Sequence, residues 1–492
     1  MTVAFPPRQT AVRRQDPARR MAGPLLAAAS ALALAACVTV PDTGPRPQPL
    51  AANSLATQKS FEAPTSDWPS DRWWDAYGDP QLSALIDEAL KGSPTLAQAQ
   101  ARLKAAAAQQ QQARAAELPQ ATFNGTVTET EQSKNLGYPP FIQQYLPSGY
   151  KDQGRITLDA SYDLDLFGKN RAALAAAVSE TEAAKADVAQ ARLTLSSAVA
   201  QAYGDLARLY AERDVAADTV RIRQETAELT SQRVQNGLDT KAELDQALAA
   251  TPAAKADLEL LDEQIVIARH KLAVLLGEGP DRGLDIARPQ PGAVKAFGLP
   301  ADLTVNLLGR RPDIVAARLR VEEAGKRIDV AKASFYPDVS LTGFIGQQSL
   351  GISQLTAAGS AIGQIGPAVT LPIFDGGRLR GQYRGARAQY DLAVADYNQT
   401  LTQALQDVAD SAASAQSIQR QLAQRREALA ASESAYKVAR LRYEGGLSEY
   451  VAVLTAEDAL IQNRRALADA EARAFTLDVA LVRALGGGFA KS

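Results

Sequence analysis

Few residues in this sequence have the types and spacing that catalysis requires. The single histidine, His270, lies in a predicted helix with no second histidine or cysteine beside it, whereas metal sites combine several ligands. A glycine-rich stretch, GEGPDRG at 277–283, follows a predicted helix instead of a strand, so it lacks the context of a phosphate-binding loop. We therefore expect no enzyme, no cofactor and no metal site.

The only cysteine, Cys37, is the one residue for which the sequence predicts a covalent modification. It ends the run LAAC at 34–37, after a basic segment and a short apolar stretch, a pattern that resembles a bacterial lipoprotein signal. In that interpretation residues 1–36 are removed and Cys37 carries lipid; a spare thiol behind an ordinary signal peptide is the alternative. Removal of residues 1–36 takes away five Arg and one Asp and lowers the formal charge from −2 to −6. A chain with this negative net charge has no overall electrostatic attraction to nucleic acid.

Composition limits how the chain can meet a membrane. The 492 residues are 46% hydrophobic, but the mean hydropathy of −0.19 excludes a polytopic helical membrane protein. Because no apolar run beyond the first forty residues reaches 18, any later crossing must use strands. The stretch RITLDASYDLDL at 155–166 alternates apolar and polar residues over twelve positions, which predicts a strand long enough for an outer-membrane barrel.

Much of the chain is an internal repeat. Six residues from Pro94 to Gly125 match residues 218 positions later, and eleven from Gly168 to Gly277 match residues 209 positions later. Each half is predicted as helix, two strands and two long helices with coiled-coil heptads. The predicted strands are 120–130, 154–166, 338–347 and 363–374. The predicted order is a signal peptide (1–36), an extended tether (37–72), an N-terminal segment (73–93), repeat 1 (94–280), a linker (281–311), repeat 2 (312–486) and a tail (487–492).

Four strands cannot close a barrel by themselves. Lipid tolerates no open sheet edge and outer-membrane barrels have at least eight strands, so several copies must share one barrel. The expected fold is therefore mostly α with a transmembrane β part, in which each chain gives four strands and two repeats of long helices.

Several motifs in the same order carry a family resemblance over nearly the whole mature chain. The segments SYDLDLFGKNRAA, LLGRRPDIVAARLRVEEAG, AKASFYPDVSLTGFIG and LPIFDGGRL resemble outer membrane efflux proteins of the TolC and OprM type, particularly the NodT lipoprotein branch. The resemblance implies a homotrimer with a 12-stranded barrel in the outer membrane, continuous with a long periplasmic α-helical barrel. It also implies a tripartite efflux function with a periplasmic adaptor (membrane fusion protein) and an inner-membrane pump of the resistance-nodulation-division class. In that function this chain itself is anchored in outer membrane lipid.

The resemblance also assigns roles to two turns, RVQNGLD at 233–239 and RYEGGLSEY at 442–450. They would be the periplasmic tips where the adaptor docks, with a local alternative in which they are only helix caps. The TolC branch carries two aspartates after the second tip, where this chain has Ala452 and Thr455. The sequence therefore departs from the acidic aperture ring of that branch, and ordinary solvated helix charges are the alternative interpretation of Glu457 and Asp458. The expected docking residues are Arg233, Gly237, Leu238, Arg442, Tyr443, Gly446 and Leu447, and the expected gate residues are Glu449, Tyr450 and Glu457.

Two other functions fit the pattern less completely. The same channel could serve a type I protein-secretion system, although the lipoprotein signal favours small-molecule efflux. A structural coiled-coil lipoprotein of the envelope would need no strand like that at 155–166.

Overall fold

The computed structural model describes residues 39–290 and 297–490. Cys37 and the predicted signal peptide lie outside these residues. Two compact units make up the described chain. The first comprises the described residues up to Arg46 together with Gln109–Ala177 and Glu323–Asp391, and the second comprises Pro47–Ala108, Val178–Glu322 and the chain from Leu392 onward. Each unit takes segments from both sequence repeats.

The first unit contains one sheet of four antiparallel strands in the order β1-β2-β3-β4. The strands are β1 (Gln120–Thr130), β2 (Lys151–Asp163), β3 (Asp338–Leu350) and β4 (Ala361–Thr370). Leu158 of β2 lies opposite Phe123 of β1 and Ile345 of β3, so these side chains share one face of the sheet. Within the described chain nothing pairs with the outer edges of β1 and β4.

The strand expected at 154–166 lies three residues earlier in the chain. Its apolar alternation continues past Asp163, but the backbone turns there because the Asp163 carboxylate accepts the N–H of Asp165 at 2.8 Å and Asp165 adopts φ 42°. The strand expected at 363–374 runs over Ala361–Thr370 and ends two residues before Pro372. The strand at 120–130 has the predicted bounds, and the strand expected at 338–347 extends to Leu350.

Two 67-residue helices, α4 (Lys169–Gln235) and α9 (Arg378–Glu444), follow β2 and β4. Each is about 100 Å long at 1.5 Å per residue. Each is followed by a shorter helix, α5 (Lys241–Leu276) or α10 (Tyr450–Ala484). None of the described helices combines the length and apolar character needed to cross a bilayer. The remaining helices are α1 (Pro80–Gly92), α2 (Pro94–Ala115), α3 (Pro140–Gln143), α6 (Pro280–Leu284), α7 (Leu303–Arg310) and α8 (Pro312–Ala333).

The heptad positions of α10 form part of the helical core. Val453, Leu460 and Leu481 are buried, as their seven-residue spacing predicts. Gly204 of α4 permits close packing, because a Cβ built there would lie 2.7 Å from the Phe475 ring. The second unit also has an aromatic core, formed by Trp73, Trp74, Tyr77 and Phe475.

Candidate interaction site at two helix turns

The repeated motif Arg-x-x-x-Gly-Leu is a helix C-cap. At the end of α4, Leu238 N–H donates to the Arg233 carbonyl at 2.9 Å, and Gly237 has φ 71°. At the end of α9, Leu447 N–H donates to the Arg442 carbonyl at 2.7 Å, and Gly446 has φ 73°. Both turns therefore have the Schellman geometry, which needs a residue with positive φ and places the leucine directly after it. The local alternative thus explains the glycine and the backbone of each motif.

The first turn leads into a fully capped helix. The Thr240 N–H donates to Glu243 Oε2 at 2.7 Å, and the Thr240 hydroxyl accepts the Glu243 N–H, so both halves of a capping box are present. At the second turn, α10 begins after Glu449, whose side chain makes no capping bond. The first turn is therefore the more rigidly specified of the two.

A buried polar network braces the first turn from inside. Arg233 Nε lies 2.8 Å from Asp239 Oδ2, and Arg233 Nη1 donates to the Tyr443 carbonyl at 2.7 Å. The Tyr443 hydroxyl also donates to the Asp239 carboxylate, and the Arg233 guanidinium lies 4.4 Å from the centre of the Tyr443 ring. The network thus ties the end of α4 to the end of α9.

The network shifts the pKa values of its members. Desolvation would raise the pKa of Asp239, but hydrogen bonds from Arg233 and Tyr443 outweigh it and lower that pKa. Burial raises the pKa of Tyr443 to about 12, and its hydrogen bond to Asp239 acts in the same direction. Both shifts favour an ionised aspartate beside a neutral tyrosine near pH 7.

The structure divides the predicted docking residues into exposed and buried groups. Leu238 and Leu447 are 63% and 72% exposed, and Arg442 is exposed as well. Arg233 and Tyr443 are buried, so neither is available as a contact residue in the protomer. The two arginines of the repeat are therefore not equivalent: the first supports the turn, whereas the second lies on its surface.

The expected gate residues differ in exposure. Glu457 has no exposed surface in the protomer, so it is not a solvated helix charge. Its Oε1 lies 2.8 Å from Arg223 Nε, and its Oε2 accepts a hydrogen bond from Thr226 at 3.0 Å. Burial raises the pKa of Glu457, against the opposing effect of Arg223. Tyr450 is also buried, whereas Glu449 is exposed.

Sequence reasoning missed the partners of these buried groups. Asp239 lies inside the quoted turn motif, and a carboxylate six residues after Arg233 could have suggested an ion pair across the turn. No comparable local signal existed for Arg223, because it is 234 positions from Glu457 in the chain.

The sheet has two chemically different faces. Phe123, Leu158 and Ile345 lie on an apolar face and are exposed in the protomer. On the opposite face, Asp159 accepts hydrogen bonds from Asn124 at 2.9 Å and from Thr157 at 2.7 Å. The face assignment made from the alternation of β2 agrees with this arrangement.

β2 and β3 approach closely at Gly346. A Cβ built on Gly346 would lie 2.0 Å from the Ile156 carbonyl oxygen, so only glycine fits this position. Among the described residues no cluster of His, Cys, Asp and Glu could hold a metal ion.

Comparison of the sequence with known proteins identifies its family and its relatives. The sequence profile described as "Outer membrane efflux protein" matches residues 85–278 and 303–487. The chain is 37% identical over 380 residues to fusaric acid resistance protein FusA of Burkholderia cepacia, a match that covers 76% of this chain and 71% of FusA. It is 33% identical over 472 residues to outer membrane protein OprJ of Pseudomonas aeruginosa, covering 93% of this chain and 94% of OprJ.

Solved structures of outer membrane proteins also resemble this chain. The outer membrane protein VceC of Vibrio cholerae superposes with a TM-score of 0.81 at 43% identity, covering 86% of this chain and all of VceC. The outer-membrane channel OprN superposes with a TM-score of 0.80 at 28% identity, covering 92% of this chain and 99% of OprN.

Proposed function

The chain belongs to the outer membrane efflux protein family, and from that membership we propose which partners it meets, how it is anchored and which residues act. The protein is the outer-membrane channel of a tripartite efflux system. Its fold is that of the family's trimeric channels, in which three four-stranded sheets form one 12-stranded barrel.

One observation carries the channel function: the sheet combines an exposed apolar face with two edges that its own chain leaves unpaired. Strand edges expose N–H and C=O groups, and a bilayer supplies no water to satisfy them. The edges of β1 and β4 must therefore pair with further copies once the apolar face meets lipid. The polar face, with Asp159 and Thr157, then lines the lumen.

The proposed partners are a periplasmic adaptor and an inner-membrane pump of the resistance-nodulation-division class. Leu238 and Leu447 supply exposed apolar contacts for the adaptor, and Arg442 supplies an exposed charge beside them. A few residues commonly carry most of the binding energy of an interface, and arginine is frequent among them. Arg233 and Tyr443 hold the first leucine in place from within. Glu449 is the exposed candidate at the gate, whereas Tyr450 is buried and Glu457 is held in a buried ion pair with Arg223.

The proposed substrates are drugs or other small molecules. FusA is named for fusaric acid resistance and MdtP of Escherichia coli for multidrug resistance, which supports this class without choosing a member of it. The test is expression in a strain that lacks its own outer-membrane channel, with drug accumulation as the readout. Restored export of at least one compound from a panel of drugs and solvents is the expected result. Secretion of a protein substrate without any drug export would instead favour a type I secretion role.

The proposed membrane anchor is lipid on Cys37. A lipidated chain with an amino-terminal anchor holds to the membrane through roughly 0.8 kcal/mol per buried methylene, in addition to the barrel. Mass spectrometry of the purified mature protein checks this. An amino-terminal Cys37 with acyl groups is expected, and an unmodified cysteine or cleavage elsewhere would refute it.

A further inference from the structure

The start of α9 carries an excess of positive charge. Arg378, Arg380 and Arg384 are exposed, and within the described chain none of their guanidinium nitrogens lies within 4 Å of a carboxylate oxygen. Arg380 and Arg384 are four residues apart on one helix face, a spacing at which like charges destabilise a helix. The first turn of a helix also disfavours cations, because the helix dipole is positive there. This placement is therefore costly unless an anion binds beside it.

The equivalent helix of the first repeat avoids this cost. Arg380 corresponds to Arg171 in the 209-residue register, and Arg171 pairs with Asp165, whose Oδ2 is 3.2 Å from its Nε. Lys169, the counterpart of Arg378, lies 3.7 Å from Asp338. The position that corresponds to Asp165 in the second repeat is Phe374. The second repeat therefore has a phenyl group where the first has the neutralising carboxylate.

The nearest carboxylate of α9 does not replace the missing one. Asp375 accepts backbone N–H groups from Gly377 at 3.0 Å and Leu379 at 2.8 Å. These bonds cap the helix. Asp165 of the first repeat likewise caps its helix, through the N–H groups of Asn170 and Arg171, but it also pairs with the Arg171 side chain. Among the described residues Asp375 has no such ion pair, which leaves a net positive surface at the start of α9.

An apolar surface adjoins the arginines. Phe374 is 93% exposed and Ile373 is 58% exposed. They follow the exposed apolar residues of β4, Ile365 and Val369, in the chain, beyond the end of the strand. If that face of the sheet meets the hydrocarbon, as the channel function requires, Phe374, four residues beyond the last residue of β4, is expected near the boundary between membrane and water. Aromatic side chains concentrate at this boundary.

We propose that Arg380 and Arg384, with Phe374, form a binding site for the headgroup of an anionic phospholipid. The phosphate accepts from the guanidinium groups, and the phenyl ring lies among the upper acyl carbons. Arg387, farther along α9, is buried, and its Nη2 donates to the Gly44 and Pro45 carbonyls, so it binds the predicted tether and is not part of the site. Membrane insertion of the sheet is assumed, so the inference rests on the channel function above.

The test compares phosphatidylglycerol with phosphatidylcholine. Full-length trimer in neutral detergent is titrated with each short-chain lipid, and bound lipid is counted by native mass spectrometry. The wild type is expected to bind phosphatidylglycerol more tightly than phosphatidylcholine. Each basic residue at an anionic lipid surface strengthens binding roughly fivefold, so R380Q/R384Q should lose roughly 25-fold in phosphatidylglycerol affinity. The charge-conserving R380K/R384K should keep the preference for phosphatidylglycerol.

The matched control is Arg171→Gln, which removes the paired arginine of the first repeat and should leave the lipid preference unchanged. Equal binding of the two lipids by the wild type, or an unchanged preference in R380Q/R384Q, would overturn the proposal. Loss of the trimer in R380Q/R384Q but not in Arg171→Gln would also overturn it, because the arginines would then be contacts between protomers. Conductance of the same preparations reports the channel function separately, so a failed lipid site is distinguishable from a failed channel.

Discussion

The Arg233 guanidinium and the Asp239 carboxylate form a buried ion pair across the first helix turn, with Nε and Oδ2 2.8 Å apart. The same carboxylate accepts from the Tyr443 hydroxyl. Leu238 lies between the two charged residues in sequence and is exposed. An internal polar network therefore fixes a surface leucine, and this relationship connects the stability of the turn to its proposed docking role.

Replacing Asp239 with Ala should loosen the first turn. Removing one partner of a buried ion pair leaves the other charge unpaired, so local opening should become easier by roughly 3 kcal/mol. Hydrogen exchange at the Leu238 amide measures this opening. The control is Glu444→Ala, which breaks the exposed pair with Arg440 and should change the opening free energy by less than about 0.5 kcal/mol. Equal protection in the two variants would contradict the assigned brace.

The brace should depend on pH in a defined way. The lowered pKa of Asp239 means that its contribution is complete above the usual aspartate value near 3.8 and is lost as pH falls through the lowered pKa. The raised pKa of Tyr443 means that its contribution is complete below pH 10 and is lost as pH rises through about 12. Hydrogen-exchange protection of Leu238, corrected for the intrinsic rate, should be flat between these limits. A midpoint near pH 7 would refute this assignment.

Sequence alone located the elements well where the signal was local. The alternation of Leu158 and its neighbours predicted the two faces of β2, and the glycines at 237 and 446 predicted the turns. The end of β2 was misplaced, because alternation continues into Leu164 although the Asp163 carboxylate has already turned the backbone. A periodic pattern indicates which face of the sheet a residue lies on, but it does not indicate where the strand ends.

The buried charges could not be predicted from sequence. Glu457 resembles a solvated helix charge until Arg223, which lies far away in the chain, is placed beside it. Arg233 and Arg442 occupy the same repeat position, yet one is buried and the other is exposed. Arg233 is buried because two residues bind it: Asp239, which follows the first turn, and Tyr443, which lies near the end of α9. Contacts between distant segments therefore decide which copy of a repeated residue is available to a partner.

Replacing both Leu238 and Leu447 with Glu should abolish efflux without preventing assembly. Two carboxylates in an apolar docking surface would be desolvated without partners, which opposes adaptor binding. Drug accumulation in cells is measured beside trimer yield in purified outer membranes. Leu284→Glu, at an exposed leucine of α6, is the control and should leave efflux intact. A normal efflux rate with a full yield of the double variant would exclude a docking role for the turns.

The two faces of β2 should respond differently to substitution. Leu158 lies on the apolar face, so Leu158→Arg should cost roughly 2–4 kcal/mol in the bilayer. Asp159→Ala on the polar face loses hydrogen bonds to Asn124 and Thr157 but stays in water, so it should cost less. Folding yield in liposomes compares the two variants. Equal insertion of Leu158→Arg and Asp159→Ala would show that the faces are assigned the wrong way round or that the sheet does not meet lipid.

Three copies of this chain should form one pore through the outer membrane. Electrical recording from purified trimers in planar bilayers measures this, with the wild type recorded beside the Asp239→Ala variant, in which the loosened first turn should not hold the pore closed. We predict discrete, repeated steps of ionic current, at least from Asp239→Ala. The absence of current from both proteins, with intact trimers demonstrably inserted, would contradict the account.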